Sequence, residues 1–291
     1  MNTAHPGTRL KAALAQPGLI SAPGVYDMIS AKIADGLGFP ALYMTGYGVS
    51  ASHLGLPDAG LASYTEMVSR VAQICQGTAT PVICDADTGF GGLLNVERTV
   101  RGYEAAGAAA IQIEDQVFPK RCGHTPGRRV VPIEDMVRKV KVAAASRSSP
   151  DFLIVARTDA RTNHGLDEAL RRGEAFARAG ADILFIESPE SEEEMARIGR
   201  HFDLPLLANM ADGGRTPILP KARLEQLGYR IAIFPATGFL AAAKALAHVY
   251  GVLEATGSSD TLASEFYPFD KFCRMIGFEH VWEFEKRWPE V

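Results

Sequence analysis

The sequence predicts an α/β fold, a (β/α)8 TIM-type barrel followed by an extra C-terminal helical segment. The length of 291 residues suits one barrel of this kind. A helix–glycine–strand unit recurs four times, and eight apolar runs of strand length alternate with helical patterns. A doubly wound open sheet is the alternative that the same alternation allows.

The recurring unit is a helix that ends at a glycine, a short loop and an apolar strand that ends in a polar or otherwise special residue. A glycine after a helix supplies a left-handed cap, and the equal spacing indicates that each unit is built alike. The glycines are Gly38, Gly107, Gly180 and Gly228, and the residues seven positions later are Thr45, Glu114, Glu187 and Pro235.

The eight apolar runs have the length of buried parallel strands. In chain order they are Leu19–Pro23, Ala41–Met44, Val82–Cys84, Ala110–Ile113, Phe152–Ala156, Ile183–Ile186, Leu206–Ala208 and Ile231–Phe234. Helical patterns between them include Asn95–Ala106, Ile133–Ala145, Leu166–Ala179 and Phe239–Leu253. Strands that alternate with helices in this way favour the barrel.

The domain organisation follows from where the barrel pattern stops. No boundary is visible before Glu254, so residues 1–254 are predicted to form the catalytic barrel and residues 255–291 a linker with a C-terminal helical segment. Ala255–Thr261 is predicted to be the polar linker. The tail Glu265–Trp288 is helical in pattern and aromatic, so we expect its Phe and Trp side chains to be buried against this barrel or a partner subunit.

Composition and charge exclude several classes of protein. The formal net charge is −4 and no basic block is present, which argues against nucleic acid as a partner. The apolar runs are too short to cross a bilayer, and Met1 to Pro6 lack the layout of a signal peptide. The four cysteines are scattered without a disulfide or zinc spacing. We therefore expect a cytoplasmic protein without nucleic-acid or membrane partners.

Polar residues follow the predicted strands. In barrels of this kind the active site lies at the carboxyl ends of the strands, and charged residues at several of these ends predict a functional cluster rather than a solvated surface. The residues are Thr45 and Gly46, Asp85 and Asp87, Glu114 and Asp115, Arg157 and Asp159, Glu187, and Asn209.

Asp85 and Asp87 lie two positions apart beyond a strand end, so both carboxylates can face one cavity. Carboxylates with few His or Cys neighbours suit a hard cation, Mg²⁺ or Mn²⁺, and Glu114 and Asp115 could extend the ligand set directly or through water. The alternative for the aspartates is one helix cap and one surface residue. For Glu114 or Asp115 the alternative is structural pairing with Arg157.

Gln116–Val131 forms a long loop rich in glycine and proline, which is typical of an active-site lid. Cys122 lies in it among Lys120, Arg121 and His124. Cationic neighbours lower the pKa of a thiol, so Cys122 is a candidate general acid or nucleophile. A buried structural cysteine is the alternative.

Three segments together resemble the isocitrate lyase/phosphoenolpyruvate mutase superfamily. They are D-A-D-T-G-F-G-G, I-E-D-Q-V-x-P-K-R-C-G-H and V-A-R-T-D-A, and the resemblance extends from about Gly24 to the C-terminal tail. K-R-C-G-H is specific to the lyase branch, because the mutase branch carries Asn-Ser where this chain has Cys122-Gly123. Within the lyases the resemblance is to the dimethylmalate lyase group first and to the 2-methylisocitrate lyase group next.

The resemblance implies a role for each matching residue. It implies Mg²⁺ bound by Asp85, Asp87 and Glu114; substrate bound by Thr45, Gly46, Tyr47, Asp58, Gly123, His124 and Asn209; and catalysis by Cys122, Tyr43, Arg157 and Glu187. It also implies a homotetramer in which the C-terminal helix is swapped between subunits.

The expected activity is cleavage of a 2-hydroxy dicarboxylate of the 2,3-dialkylmalate type to a 2-keto acid and a short carboxylate, with Cys122 as the general acid. Methylisocitrate lyases carry an Arg where this chain has Leu240, which favours two carboxylates over three. The alternatives are a 2-methylisocitrate lyase, an oxaloacetate hydrolase or decarboxylase, and a metabolite-binding protein without turnover.

Overall fold

The computed structural model describes residues 5–123 and 127–289. It contains a closed barrel of parallel strands, each hydrogen-bonded to its neighbours in chain order, with the last paired to the first. The strands are β1 (Ile20–Val25), β2 (Leu42–Met44), β3 (Val82–Asp85), β4 (Ala110–Glu114), β5 (Leu153–Thr158), β6 (Ile183–Ile186), β7 (Leu206–Asn209) and β8 (Ile231–Phe234). The predicted barrel is confirmed.

Five strands extend further towards their carboxyl ends than the sequence predicts: β1 continues to Val25, and four others continue into polar residues. Strands β3, β4, β5 and β7 include Asp85, Glu114, Thr158 and Asn209, all of them buried. Hydrophobicity marks where an apolar run ends, but the ladder continues as long as the next side chain finds partners inside the barrel. These four residues therefore belong to the sheet itself and not to the loops that follow it.

Helices lie between the strands, and the four repeat glycines have φ between 77° and 106°, as the predicted left-handed caps require. The helices are α1 (Pro6–Ala15), α2 (Met28–Gly36), α3 (Gly46–Val49), α4 (Tyr64–Gly77), α5 (Leu93–Ala105), α6 (Ile133–Ser146), α7 (Arg161–Ala179), α8 (Glu192–His201), α9 (Lys221–Gln226), α10 (Thr237–Thr256), α11 (Phe269–Met275) and α12 (Phe278–Arg287). Ser50–Leu54 forms a π-helical turn.

Helix α1 has no counterpart in the sequence analysis. It buries Leu10 completely against the interior of the barrel, beside Ile20 and Ile231 near the starts of β1 and β8. A ten-residue helix with one fully buried anchor gives a weak periodic signal, which explains why the sequence pattern did not reveal it.

The chain divides into two compact units, one ending at Gly238 and one beginning at Phe239. The sequence predicts the change after residue 254, whereas this division places all but the first two residues of α10 in the second unit. The predicted domain bounds stay a prediction. The predicted linker is likewise shorter than expected, since its first two residues belong to α10 and Asp260–Leu262 forms a 3₁₀ turn.

The second unit contains α11 and α12 with many exposed aromatic side chains, among them Phe269 (81% exposed), Phe284 and Trp288. Their burial against a partner subunit stays a prediction. Among the described residues, no helix has the length and apolar character needed to cross a membrane.

Candidate active site

Most of the predicted site residues are buried where strands β2 to β7 end. All strands are parallel, so their carboxyl ends share one face of the barrel. The residues buried there are Tyr43, Thr45, Gly46, Asp85, Asp87, Glu114, Gly123, Arg157, Glu187 and Asn209. Asp58 and Cys122 are half-buried, and Tyr47 is 41% exposed. His124 lies outside the described residues.

Asp85 is held in one orientation by three donors. Its Oδ1 accepts hydrogen bonds from Asp87 N at 3.1 Å and Gln112 Nε2 at 3.3 Å, and its Oδ2 accepts one from Gly46 N at 3.3 Å. A Cβ on Gly46 would lie 2.6 Å from that Oδ2, so only glycine allows this approach. Donors from the chain itself thus fix the orientation of the Asp85 carboxylate.

Tyr43 supports the Asp85 carboxylate indirectly, through Gln112. Its hydroxyl donates to Gln112 Oε1 at 2.9 Å, and Gln112 in turn donates to Asp85. Burial, reinforced by the charge of Asp85, raises the pKa of the Tyr43 hydroxyl well above its usual range. Tyr43 is therefore a protonated donor in this arrangement.

Thr45 and Tyr47 belong to the segment that begins α3. The Thr45 hydroxyl caps this helix by accepting from Gly48 N at 3.4 Å, while the Gly46 amide is directed at Asp85. The structure thus places this segment directly beside the carboxylates of the site.

Lys120 is a site residue that the sequence analysis used only as a neighbour of Cys122. Its buried ammonium group forms ion pairs with Asp58 and, at 2.9 Å, with Asp87. Burial lowers the pKa of Lys120, but the charges of Asp87 and Asp58 outweigh burial and raise it well above its usual range. Lys120 therefore neutralises acids that would otherwise repel one another, and it ties the loop to two parts of the barrel.

The oxygen donors around Asp85 have the chemistry of a hard-cation site. Burial, followed by the charges of Asp85 and Asp58, raises the pKa of Asp87 to about 7 against the opposing effect of Lys120. Glu114 Oε1 is buried without a hydrogen-bond partner. Within the described residues, no three His, Cys, Asp or Glu side chains converge closely enough to hold a metal by themselves, so water or substrate oxygens would complete the coordination.

Arg157 is the centre of the cationic side of the site. It forms a bidentate pair with Asp159, with both bonds at 2.9 Å, and ion pairs with Glu114 at 3.4 Å and Glu187 at 3.3 Å. Burial opposes its charge, but these acids together raise its pKa well above the usual range. The pairing of Glu114 with Arg157, an alternative in the sequence analysis, is present; burial nevertheless raises the pKa of Glu114 well above its ordinary value.

Glu187 and Asn209 form a second bonded pair at this face. Asn209 Nδ2 donates to Glu187 Oε2 at 3.0 Å, the same oxygen that faces Arg157. The other oxygen, Oε1, accepts from Ser188 N at 2.7 Å. Both carboxylate oxygens of Glu187 are therefore fixed by the ends of β6 and β7.

Asp115 lies beside Glu114 in sequence but belongs to a different network. Its carboxylate accepts from the Thr158 hydroxyl at 2.7 Å, from Asp159 N at 2.9 Å and from Arg172 at 2.9 Å. Burial and the charge of Asp159 raise the pKa of Asp115 to about 6. Its contacts hold β4, β5 and α7 together, so it supports the barrel and does not extend the cation cluster.

The Cys122 segment is joined to the barrel through its backbone. Cys122 N donates to Asp58 O at 3.1 Å, and the Gln116 side chain holds the Arg121 backbone through bonds of 2.8 and 3.0 Å. Gln116 also pairs with Val130 in an antiparallel bridge that closes the base of the loop. Cys122 thus lies in a polar, ordered segment and not in the apolar core, in contrast to Cys84.

Backbone strain is concentrated at this face. Among the described non-glycine residues, those with positive φ are Asp87 at 48°, Phe90 at 58° and Ser188 at 59°. Two of them follow β3 and the third follows β6. Strained residues persist where surrounding contacts fix them, and they are typical of active sites.

The model of the phosphoenolpyruvate phosphomutase family matches residues 10–253. The chain is 50% identical to 2,3-dimethylmalate lyase from Eubacterium barkeri, with 98% of each chain covered. It is 43% identical to 2-methylisocitrate lyase from Aeropyrum pernix, covering 99% of this chain and 91% of that relative.

Solved structures agree with this assignment. The crystal structure of a 2,3-dimethylmalate lyase, a PEP mutase/isocitrate lyase superfamily member, superposes with a TM-score of 0.92 at 36% identity over 99% of this chain and 96% of that chain. Oxaloacetate acetylhydrolase with 3,3-difluorooxalacetate gives 0.92 at 33% identity, covering 98% of both. Phosphonopyruvate hydrolase with oxalate and Mg²⁺ gives 0.89 at 29% identity, covering 99% and 100%. The chain therefore belongs to the phosphoenolpyruvate mutase/isocitrate lyase superfamily.

Proposed function

We propose that this chain is a Mg²⁺-dependent carbon–carbon lyase that cleaves a 2-hydroxy dicarboxylate of the 2,3-dialkylmalate type to a 2-keto acid and a short carboxylate. The observation that carries the proposal is a buried cluster of carboxylates beside the Cys122 loop, on a chain 50% identical to a 2,3-dimethylmalate lyase. The acidic cluster together with Cys122 argues against a binding protein without turnover.

Asp85, Asp87 and Glu114 would hold the cation, Mg²⁺ or Mn²⁺. Carboxylate oxygens are the ligands that these ions prefer, and Glu114 Oε1 is buried without a donor. When bound, the cation would lower the pKa of the substrate 2-hydroxyl and stabilise the charge of the forming 2-keto acid. A related phosphonopyruvate hydrolase structure, solved with oxalate and Mg²⁺, supports this chemistry.

Cys122 and Arg157 would act on the leaving fragment. After a base removes the 2-hydroxyl proton, the C2–C3 bond breaks and its electron pair passes to C3, which gives the enolate of the departing carboxylate. The Arg157 guanidinium, whose raised pKa keeps it charged, would stabilise that enolate. The Cys122 thiol would then donate its proton to C3, which releases the short carboxylate.

Tyr43 would act through Asp85. Since its phenol is protonated and bonded to Gln112, it would keep Gln112 directed at Asp85 and thereby fix the carboxylate that holds the cation. Glu187 and Asn209 would act as a pair that aligns Arg157 with the substrate.

The substrate is proposed to carry two carboxylates, because the family resemblance matches Leu240 to an arginine of methylisocitrate lyases. A third carboxylate without a charged partner would lose about 2–5 kcal/mol, or roughly 10²-fold in kcat/KM. Measuring kcat/KM for 2,3-dimethylmalate and 2-methylisocitrate side by side tests this proposal. A clear preference for 2-methylisocitrate would overturn the dicarboxylate assignment and leave the lyase assignment intact.

A second candidate is hydrolysis of oxaloacetate, because a structure of oxaloacetate acetylhydrolase superposes with a TM-score of 0.92. Incubation with oxaloacetate and Mg²⁺ separates the possibilities. Acetate with oxalate would indicate a hydrolase, pyruvate with CO₂ would indicate a decarboxylase, and neither is expected of a dialkylmalate lyase.

The oligomer is proposed to be a homotetramer with the C-terminal helix exchanged between subunits. The exposed aromatic side chains of α11 and α12, with Phe269 81% exposed, support an interface. Sedimentation of the full chain would give a single tetrameric species, and a monomer at micromolar concentration would contradict the proposal.

A further inference from the structure

Ser188 has an unusual conformation for a serine. It follows β6 directly, is fully buried and has φ of 59°, in the left-handed region that favours glycine. A residue with a Cβ is kept in such a conformation only where its contacts require it. The contacts of Ser188 are therefore informative about the neighbouring site.

The side chain of Ser188 lies between two acceptors. Its hydroxyl oxygen is 3.1 Å from the Gly123 carbonyl oxygen and 3.1 Å from Glu187 Oε1. Its own amide donates to the same Glu187 oxygen at 2.7 Å. A hydroxyl has one proton, so Ser188 donates either to the Gly123 carbonyl or to Glu187 Oε1. If the contact with Gly123 is released, the hydroxyl can still donate to Glu187, and no buried donor is left unpaired.

Gly123, the residue after Cys122, lies directly against Arg157 and Glu187. A Cβ at Gly123 would overlap Arg157 Nη2 and would lie 3.0 Å from Glu187 Oε2. The position of the Gly123 backbone therefore determines how closely Cys122 approaches these two residues. The Ser188 hydroxyl is the described side-chain donor to the Gly123 carbonyl.

We propose that Ser188 is a positioning residue, whose hydroxyl anchors the Gly123 carbonyl and thereby holds the Cys122–Gly123 segment against Arg157 and Glu187. The catalytic consequence rests on the proposed function, in which Cys122 donates a proton to the substrate. The anchoring itself is independent of any substrate, so it can be tested without turnover.

The test is the rate of alkylation of Cys122 by iodoacetamide, followed by peptide mass spectrometry on the full chain. Ser188→Ala removes the hydroxyl and keeps a Cβ at positive φ, whereas Ser188→Gly removes the hydroxyl and relieves the strain. Cys75, also half-buried, serves as the internal reference thiol. Ser191→Ala is the matched control, because Ser191 caps α8 through Glu194 N and has no described bond to Gly123.

Both Ser188 variants should alkylate Cys122 about fivefold faster than the unmodified chain, the factor expected for one hydrogen bond of about 1 kcal/mol. Cys75 in these variants and Cys122 in Ser191→Ala should be unchanged. Equal Cys122 rates in all chains would overturn the proposal, as would a change in Ser188→Gly alone, since strain and not the hydroxyl would then fix the segment. A parallel fall in kcat is expected only if the proposed lyase function is also correct.

Discussion

Two groups of buried charges lie on either side of the end of β4, and they differ in how completely their carboxylate oxygens are paired. Glu114 is the last residue of β4 and Asp115 is the first residue after it, and their side chains enter different environments. Glu114 joins Asp85, Asp87 and Lys120 in the acid cluster and keeps one oxygen without a partner. Asp115 joins a structural network in which its oxygens accept from Thr158, Asp159 and Arg172.

Both carboxylates of the structural network have all their oxygens paired, whereas Glu114 in the acid cluster has one oxygen without a partner. Asp159 accepts from Arg157 twice at 2.9 Å and from Arg128 at 2.7 Å, and these bonds hold its pKa below the usual value despite burial. In the acid cluster, burial raises the pKa of Asp87 to about 7. Charge density alone therefore does not identify the catalytic side. We propose that an unpaired carboxylate oxygen together with backbone strain does.

The largest expected effect is on the reaction itself. Cys122→Ser should lower kcat by about 10³-fold, because a hydroxyl has nearly the shape of the thiol but is a much weaker acid near pH 7. Binding of oxalate, measured by calorimetry, should be retained. Cys75→Ser, in α4, is the matched control and should keep normal turnover; a normal kcat in Cys122→Ser would make that cysteine structural.

Breaking the structural network should cost stability. Arg172→Met leaves the Asp115 carboxylate buried without its cation, which should lower the free energy of unfolding by about 3–5 kcal/mol. Urea unfolding of the two chains measures the difference. A change in the free energy of unfolding below about 1 kcal/mol would show that the structural network does not stabilise the barrel as proposed.

Removing an anion from the acid cluster should have the opposite pattern, because the buried Lys120 keeps its ion pair with Asp58. Asp87→Asn removes a carboxylate that burial already disfavours, and Asn tolerates positive φ as Asp does, so the free energy of unfolding should change by less than about 1 kcal/mol. Activity should fall by about 10²-fold or more, because a proposed cation ligand is lost. Strong destabilisation of Asp87→Asn would contradict the expectation that the acid cluster contributes to activity and the structural network to stability.

Asp35, at the end of α2, differs from both groups, because its carboxylate is hydrogen-bonded but half-exposed. Burial tends to raise its pKa, but bonds from the Thr80 side chain and from the Ala79 and Thr80 amides lower it. A lowered folded pKa stabilises the fold above the unfolded value of about 3.9, and this contribution disappears as pH falls through the folded value. Asp35→Asn should therefore cost about 1 kcal/mol at pH 7 and progressively less towards pH 2 in urea unfolding.

Much of the fold followed from periodicity in the sequence. The bounds predicted for Ile183–Ile186 and Ile231–Phe234 match the observed strands, because apolar runs bounded by a glycine cap and a polar end leave little choice of register. Helix α1 and the exact ends of β3, β4, β5 and β7 were not predicted, since a single anchor such as Leu10 and buried polar pairs give no hydrophobic signal.

The candidate site was predicted in composition but not in its connections. The positions of Asp85, Glu114 and Arg157 at predicted strand ends indicated that they share one face of the barrel. Nothing in the sequence indicated that the Asp115 side chain belongs to the structural network. Nor could it show that Lys120 reaches both Asp58 and Asp87, because those contacts join segments distant in the chain. The K-R-C-G-H motif, which places Lys120 two residues before Cys122, was the signal that could have identified it.

We propose that the acid cluster binds the cation required for a dialkylmalate lyase reaction. The direct test is turnover of 2,3-dimethylmalate with Mg²⁺, after exhaustive chelation and after Mg²⁺ is restored, with pyruvate and propionate as the detected products. We predict equal amounts of the two products with Mg²⁺, loss of activity on chelation and recovery on restoration, with no recovery in Asp87→Asn. Undiminished activity after chelation would contradict the cation assignment, and absence of a 2-keto acid from every 2-alkylmalate tested would contradict the lyase assignment.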